Sequence, residues 1–237
     1  MQPSYLSKER AQGKEFDAGL RNFMNNVYFK MATGVLLTAL VALGVGSSPA
    51  LIELFLGGPQ KYIVIFAPLA ILWFGFNPMT MKSSHLMMAF YAVSVAYGIS
   101  FAAIAFIASH DLTFAINVAK AFFVATAMFA GLSIYGYTTK ADLSPMRTFI
   151  TMGIWGLIAA SLMNIYFGSD MMSNVIAGVG IVLFSGLTVW QTQEMKLMYH
   201  SAMGMEIGER LAWAAALNLY ISFIALFQYI LHFMNQR

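Results

Sequence analysis

Few groups in this chain could do chemistry. Its 237 residues hold ten carboxylates, four histidines, thirteen lysines and arginines, and no cysteine. Without cysteine there are no disulfides, thiolate nucleophiles or thiolate metal sites. His85, His110, His200 and His232 are scattered, with no H-E-x-x-H or comparable spacing for zinc. No G-x-S-x-G elbow, phosphate-binding loop or dinucleotide fingerprint occurs, so the chain is not expected to be an enzyme and no cofactor is implied. What remains is one charge and a few amides set among apolar residues. Lys120 either snorkels toward the nearer interface or presents a fixed positive charge to a protein interior. Gln191, Asn164, Asn218 and Gln228 are suited to hydrogen bonds between helices, or to lining a weak ion pathway.

The elements that must position these residues are membrane spans. Hydrophobic residues make up 59% of the chain and charged residues 10%, outside the usual globular balance. The runs Ala121 to Ile134, Phe149 to Phe167 and Met171 to Trp190 hold no acidic, basic or histidine side chain. With their flanks they are long enough to cross ~30 Å of hydrocarbon at ~1.5 Å per residue. The sequence divides into a polar N-terminal segment, 1–26, and one membrane domain, 27–237, with seven spans. These are Val27 to Val45, Tyr62 to Phe76, His85 to Ala108, Leu112 to Tyr135, Pro145 to Phe167, Met171 to Trp190 and Leu211 to Phe233. The polar segment is too long for a usual signal peptide, although SSPA, Ser47 to Ala50, would suit a cleavage site.

Local signals set the joints. Ser48 with Pro49, Asn77 with Pro78, Asp111, and Ser144 with Pro145 are expected helix starts. Gly57, Gly58 and Pro59 are expected to end a short surface helix, and Pro68 to bend the second span. Two stripes of small residues, Ala92–Ala96–Ser100 and Gly156–Ala160–Asn164, are expected at close helix contacts. Lys30 is expected to snorkel from the end of the first span. A polar segment, Gln191 to Arg210, separates the last two spans. With the N-terminal tail cytoplasmic, ten of the thirteen basic residues fall inside, Lys61 and Arg237 fall outside, and Lys120 lies in a span. All ten acidic residues then lie at one surface or the other, with none in mid-membrane. A buried calcium site, which needs ~6–8 oxygen ligands, often carboxylates, is therefore disfavoured. The pI of about 9.1 fits basic residues facing anionic lipid, so the lipid bilayer is an expected partner and nucleic acid is not.

Five segments carry a resemblance: RNFMNNVYFKMATGVLLTA at Arg21 to Ala39, FAGLSIYGYTTKADLS at Phe129 to Ser144, TMGIWGLIAASLMN at Thr151 to Asn164, GLTVWQTQEMK at Gly186 to Lys196, and ALNLYISFIALF at Ala216 to Phe227. In order and spacing they resemble the Bax inhibitor-1 family of membrane proteins, in its bacterial branch. The resemblance implies an all-α bundle of seven transmembrane helices with the seventh central and the N-terminus cytoplasmic, in the cell inner membrane. It also implies a proton-sensitive calcium leak serving ion homeostasis, with regulation of a membrane-embedded ATP-dependent protease or other membrane complex as the alternative. The family's sensor is a pair of aspartates, one in a DTQ motif and one in LYLDF. The matching residues here are Gln191, in WQTQ, and Ser222, in LYISF. No Arg or Lys stands between Ile63 and Asn77, where the family can place a basic partner. The scaffold is therefore expected to carry over with its proton control altered or absent.

Overall fold

The computed structural model describes residues 4–199 and 204–235, with side chains from residue 18 onward. Among these residues there are nine helices and no strand: α1 (Ser4–Gly46), α2 (Pro49–Leu56), α3 (Gln60–Gly75), α4 (Ser83–Ser100), α5 (Ala102–His110), α6 (Leu112–Thr138), α7 (Ser144–Phe167), α8 (Asp170–Met198) and α9 (Met205–Met234). Six stretches are long and apolar enough to cross a membrane, α4 and α5 together forming one of them. The α2–α3 pair, bent by 74°, makes up to seven. His200 and Arg237 lie outside the described residues.

Burial places α9 at the centre. Of its most apolar stretch 61% is buried, against 11% for α7. It packs on α1, α4, α6 and α8, whereas α7 leans on α8 alone. Aromatic rings fill the space around it: Tyr220 and Trp213 meet Phe90 of α4, and Phe223 meets Phe122 and Phe129 of α6 edge-on. Such edge-to-face pairs suit the quadrupole of the rings and fix the rotation of α9 against its neighbours.

The joints follow the sequence in part. Asp111 caps α6, accepting from the Phe114 amide at 3.1 Å, and Pro49 and Pro145 sit in the first turns of α2 and α7. Ser48 makes no side-chain cap bond. At α7 the acceptor is Asp142, which takes the Ser144 amide at 2.9 Å. The Ser144 hydroxyl and amide hold the Asp142 carboxyl below the usual carboxylate range. Asn77 caps only a turn, accepting from Met79; α4 starts six residues later. Its first amide and hydroxyl, both of Ser83, are met by Glu206 of α9. A carboxylate from a distant helix thus does the work of a local cap, which no neighbouring residue announces.

Several expectations are corrected or extended by the structure. Helix α3 continues through Pro68, and a further bend of 74° separates it from α2 at Gly57–Pro59. The expected polar segment from Gln191 to Arg210 is mostly helix, since α8 continues to Met198 and α9 starts at Met205. Lys30 does not snorkel; it is buried and ion-paired with Glu209 at 3.0 Å. The small-residue stripes lie only partly at contacts: Ala96 is buried, the Ser100 hydroxyl donates to the Val64 carbonyl oxygen of α3 at 3.4 Å and Asn164 bonds Ser173 of α8, but the tightest approaches fall beside the stripes. Ala92 is exposed, and α4 meets α1 through Phe90, Ser94 and Gly98, where a Cβ on Gly98 would lie 2.9 Å from the Thr38 carbonyl oxygen. Gly156 has open space beside it, while a Cβ on Gly153 would lie 2.6 Å from Leu183 of α8. The polar segment and the first span are one helix, with α1 passing residue 26 unbroken.

Candidate functional site

Of the residues singled out in the sequence, the fold joins two. Gln191 comes from α8 and Ser222 from α9, and the Ser222 hydroxyl donates to Gln191 Oε1 at 2.8 Å. Ser222 is fully buried. Its helix neighbour Phe223 closes one side against α6. On α8, Thr188 and Thr192 are buried and donate their hydroxyl protons to the Phe184 and Thr188 carbonyls, so neither has a proton left to give. The pair is neutral and cannot titrate near neutral pH. Its chemistry is a hydrogen bond that ties α8 to the central helix.

Asn164 and Lys120 lie elsewhere. Asn164 secures the α7–α8 turn: its Nδ2 donates to Ser173 Oγ at 2.6 Å and its Oδ1 accepts the Ser169 amide at 3.2 Å. Gly168, in the left-handed region at φ 60°, allows that turn. Ser173 and Gln191 are separated by about 27 Å along α8 at 1.5 Å per residue. Lys120 is exposed on α6. It sits one turn from Asn117, which bonds Asn235 at the far end of α9. The four residues therefore do not form one site. Asn218 and Gln228, expected to bond between helices, are exposed and make no hydrogen bond among the described residues.

Their exposure reveals a feature that the sequence reading missed. At about 100° per residue, Ala214, Asn218, Ile221, Ala225, Gln228 and His232 fall within an arc of about 80° on α9. This is the one side of the central helix that its neighbours leave partly or fully exposed along most of its length. At the Gln228 end it opens into a cavity of about 450 Å³ shared with Ser161 and Asn164 of α7 and Ser173 of α8. The signal was present as amides within the apolar stretch of α9, but only burial shows which way they face. Ser222 stands beside the arc.

Two further polar groups were also missed. Thr38 of α1 lies 2.7 Å from the Tyr220 hydroxyl and 2.9 Å from the Ser94 carbonyl oxygen. A threonine has one proton to give; with it on a carbonyl, Tyr220 must be the donor to Thr38. Near the start of α9, Lys30 binds Asn26 at 2.8 Å and Glu209 at 3.0 Å, and lies 4.5 Å from the Trp213 ring centre. Asn26 also donates to Glu209 at 3.0 Å. Next to this cluster Arg210 donates through two nitrogens to the Pro78 carbonyl oxygen. Among the described residues no group of three or more histidines or carboxylates is placed to hold a metal ion.

A buried central helix, wrapped by apolar helices and bound to them by neutral hydrogen bonds, defines a multi-pass helical membrane protein. Residues 20–237 match the family model described as inhibitor of apoptosis-promoting Bax1, and the chain belongs to the Bax inhibitor-1 family. An uncharacterized protein of Rickettsia prowazekii is 36% identical over 230 residues, covering 96% of this chain and 94% of that protein. One from Caulobacter vibrioides is 36% identical over 92% of this chain and 90% of its own length. The inner membrane protein YbhL of Escherichia coli is 32% identical over 93% of this chain and 94% of its own length. With its six to seven apolar helices, the chain is an inner-membrane protein of the same kind.

Proposed function

We propose that the chain is an ion-leak protein whose conduction is not switched by a carboxylate pair. In this reading there are seven spans, the α2–α3 pair being the second, and the N-terminus is cytoplasmic. Ions move along the open face of α9, past Asn218 and Gln228, beside the Gln191–Ser222 bond. The observation that carries the reading is the open face itself: the most buried helix exposes amide oxygens in mid-bundle, with no carboxylate on that arc. Amide and carbonyl oxygens can replace part of a cation's hydration without holding it tightly.

Calcium flux into liposomes holding only this protein tests the proposal. The expected flux changes little between about pH 6 and pH 8, where a coupled carboxylate pair would respond. The double substitution Gln191→Asp with Ser222→Asp should create a response there, because two carboxylates at this spacing must share a proton. Strong proton dependence in the unmodified chain would remove the neutral-path reading and point to His85 or His200.

A second reading, a non-conducting regulator of a membrane-embedded ATP-dependent protease or other membrane complex, draws on α1. Residues 4–17 extend that helix by about 21 Å at 1.5 Å per residue beyond the apolar stretch starting at Ala18, enough to serve as a handle outside the membrane. No flux at any pH, with a protease co-purifying, would favour it.

A further inference from the structure

A second cavity lies away from the open face of α9. It is a groove of about 750 Å³ between α1 and α6, floored by Phe223 of α9. The helices α1 and α6 are not among the main packing pairs of the bundle, so the groove opens sideways toward lipid. Its chemistry changes along its length. At one end stand Arg21 and Tyr28 of α1 with Tyr137 and Ser133 of α6; the wall then continues apolar to Ala39 and Phe122.

The dimensions are those of a single leaflet. From Tyr28 to Ala39 is about 16 Å, and from Ser133 to Phe122 also about 16 Å, at 1.5 Å per residue. Half of a ~30 Å hydrocarbon core is about 15 Å. A transmembrane helix of a partner would need an apolar wall twice as long. The polar end carries one charge, Arg21, and no carboxylate lines the groove among the described residues. Arg21 makes no ion pair among those residues.

Ser133 supplies a second, independent observation. It is 93% buried, lines the groove, and its hydroxyl has no hydrogen-bond partner. Other serines and threonines of these helices return their proton to a carbonyl one turn back, as Thr126 does to Phe122 and Thr138 to Ile134. A buried hydroxyl without a partner is costly, and a ligand acceptor one turn below Tyr137 would satisfy it.

We infer that the groove between α1 and α6 is a binding site for one anionic phospholipid. The headgroup phosphate meets Arg21, a glycerol ester carbonyl accepts from Ser133, and one acyl chain lies along the apolar wall over Phe223. This site is distinct from the open face of α9 and does not depend on conduction.

Native mass spectrometry of the full chain, released from mixed phosphatidylglycerol and phosphatidylcholine bilayers, tests the inference. The wild type should retain one phosphatidylglycerol in preference to phosphatidylcholine by about fivefold, the worth of one interfacial basic residue. Arg21→Gln, an exposed position, should bring the two lipids to parity with an unchanged melting temperature. Ala32→Trp, also exposed, should fill the groove and abolish retention of both. Equal retention of the two lipids by the wild type, or an unaltered preference in Arg21→Gln, would overturn the site. The chain lacks cysteine, so Thr126→Cys gives a single thiol inside the groove. Disulfide-linked dimers of that variant would show that the groove takes a second copy of the chain, which also overturns the proposal.

Discussion

The two halves of α9 solve the same problem with different chemistry. Around Glu206, Glu209 and Arg210 the helix is bound by charge: an ion pair with Lys30, and single charges set against the Ser83 amide and the Pro78 carbonyl. Around Tyr220 and Ser222 it is bound by neutral hydroxyls to Thr38 and Gln191. The difference follows solvation. Near a helix end, water and headgroups lower the cost of a charge, and Glu209 keeps a side-chain exposure of 45%. In mid-bundle an ionised group would meet low dielectric on every side, so neutral bonds are what the position can hold. Strong but water-tolerant contacts thus anchor one end of α9, and weak neutral ones align its middle.

Breaking the charged half should give the largest effect. Lys30→Met removes the ammonium from Glu209, Asn26 and the Trp213 face together. Loss of one partner from a fully buried pair costs ~3–5 kcal/mol, and the half-exposed Glu209 lowers this to about 2 kcal/mol here. The thermal midpoint of the purified protein in detergent measures it. Glu209→Gln should cost less, since the amide still accepts from Asn26 and Lys30. If both changes cost the same, water does not relieve the exposed partner and the solvation contrast fails.

The neutral half should respond less. Tyr220→Phe keeps the ring contacts with Phe90 and Tyr97 and removes the hydroxyl that meets the Thr38 and Ser94 side chains. Thr38 still donates to a carbonyl, so the expected loss is about 1 kcal/mol or less. The same melting experiment checks it. A loss equal to that of Lys30→Met would mean that the buried hydroxyls act as one cooperative network.

What could be read in the sequence separates along similar lines. Spans and the Asp111 cap were legible because each is written in neighbouring residues: an apolar run of sufficient length, or an acceptor three residues before an amide. The tightest approaches were missed because several small-residue spacings coexist on one helix. Ala92–Ala96–Ser100 and Ser94–Gly98 both satisfy a spacing of four, and only the partner decides which is used. The partnership of Thr38 with Tyr220 spans 182 residues and that of Glu206 with Ser83 spans 123, so no local pattern encodes either. Gln191 and Ser222 were paired through the family resemblance. Their separate sequences, WQTQ and LYISF, give no physical reason to meet. The groove beside α1 was not legible at all, since it is left between two helices that are not main packing partners.

Lys120 provides the smallest effect and the sharpest check on where charge is tolerated. Eight residues into α6 it lies roughly 12 Å from Leu112 at 1.5 Å per residue, a depth at which an ammonium facing the bundle would be a costly and functional feature. It is exposed and makes no hydrogen bond or ion pair among the described residues. Its stem can therefore lie along the outside of α6 and carry the ammonium toward the interface. Lys120→Met removes that charge and keeps the stem, so the expected change in stability is within about 0.5 kcal/mol, as for an exposed position away from special contacts. Calcium flux should be unchanged. A fall in melting temperature comparable to that of Lys30→Met, or an altered flux, would place the ammonium inside the bundle. In that case charge would be held in mid-membrane after all, and the contrast between the two halves of α9 would no longer describe the protein.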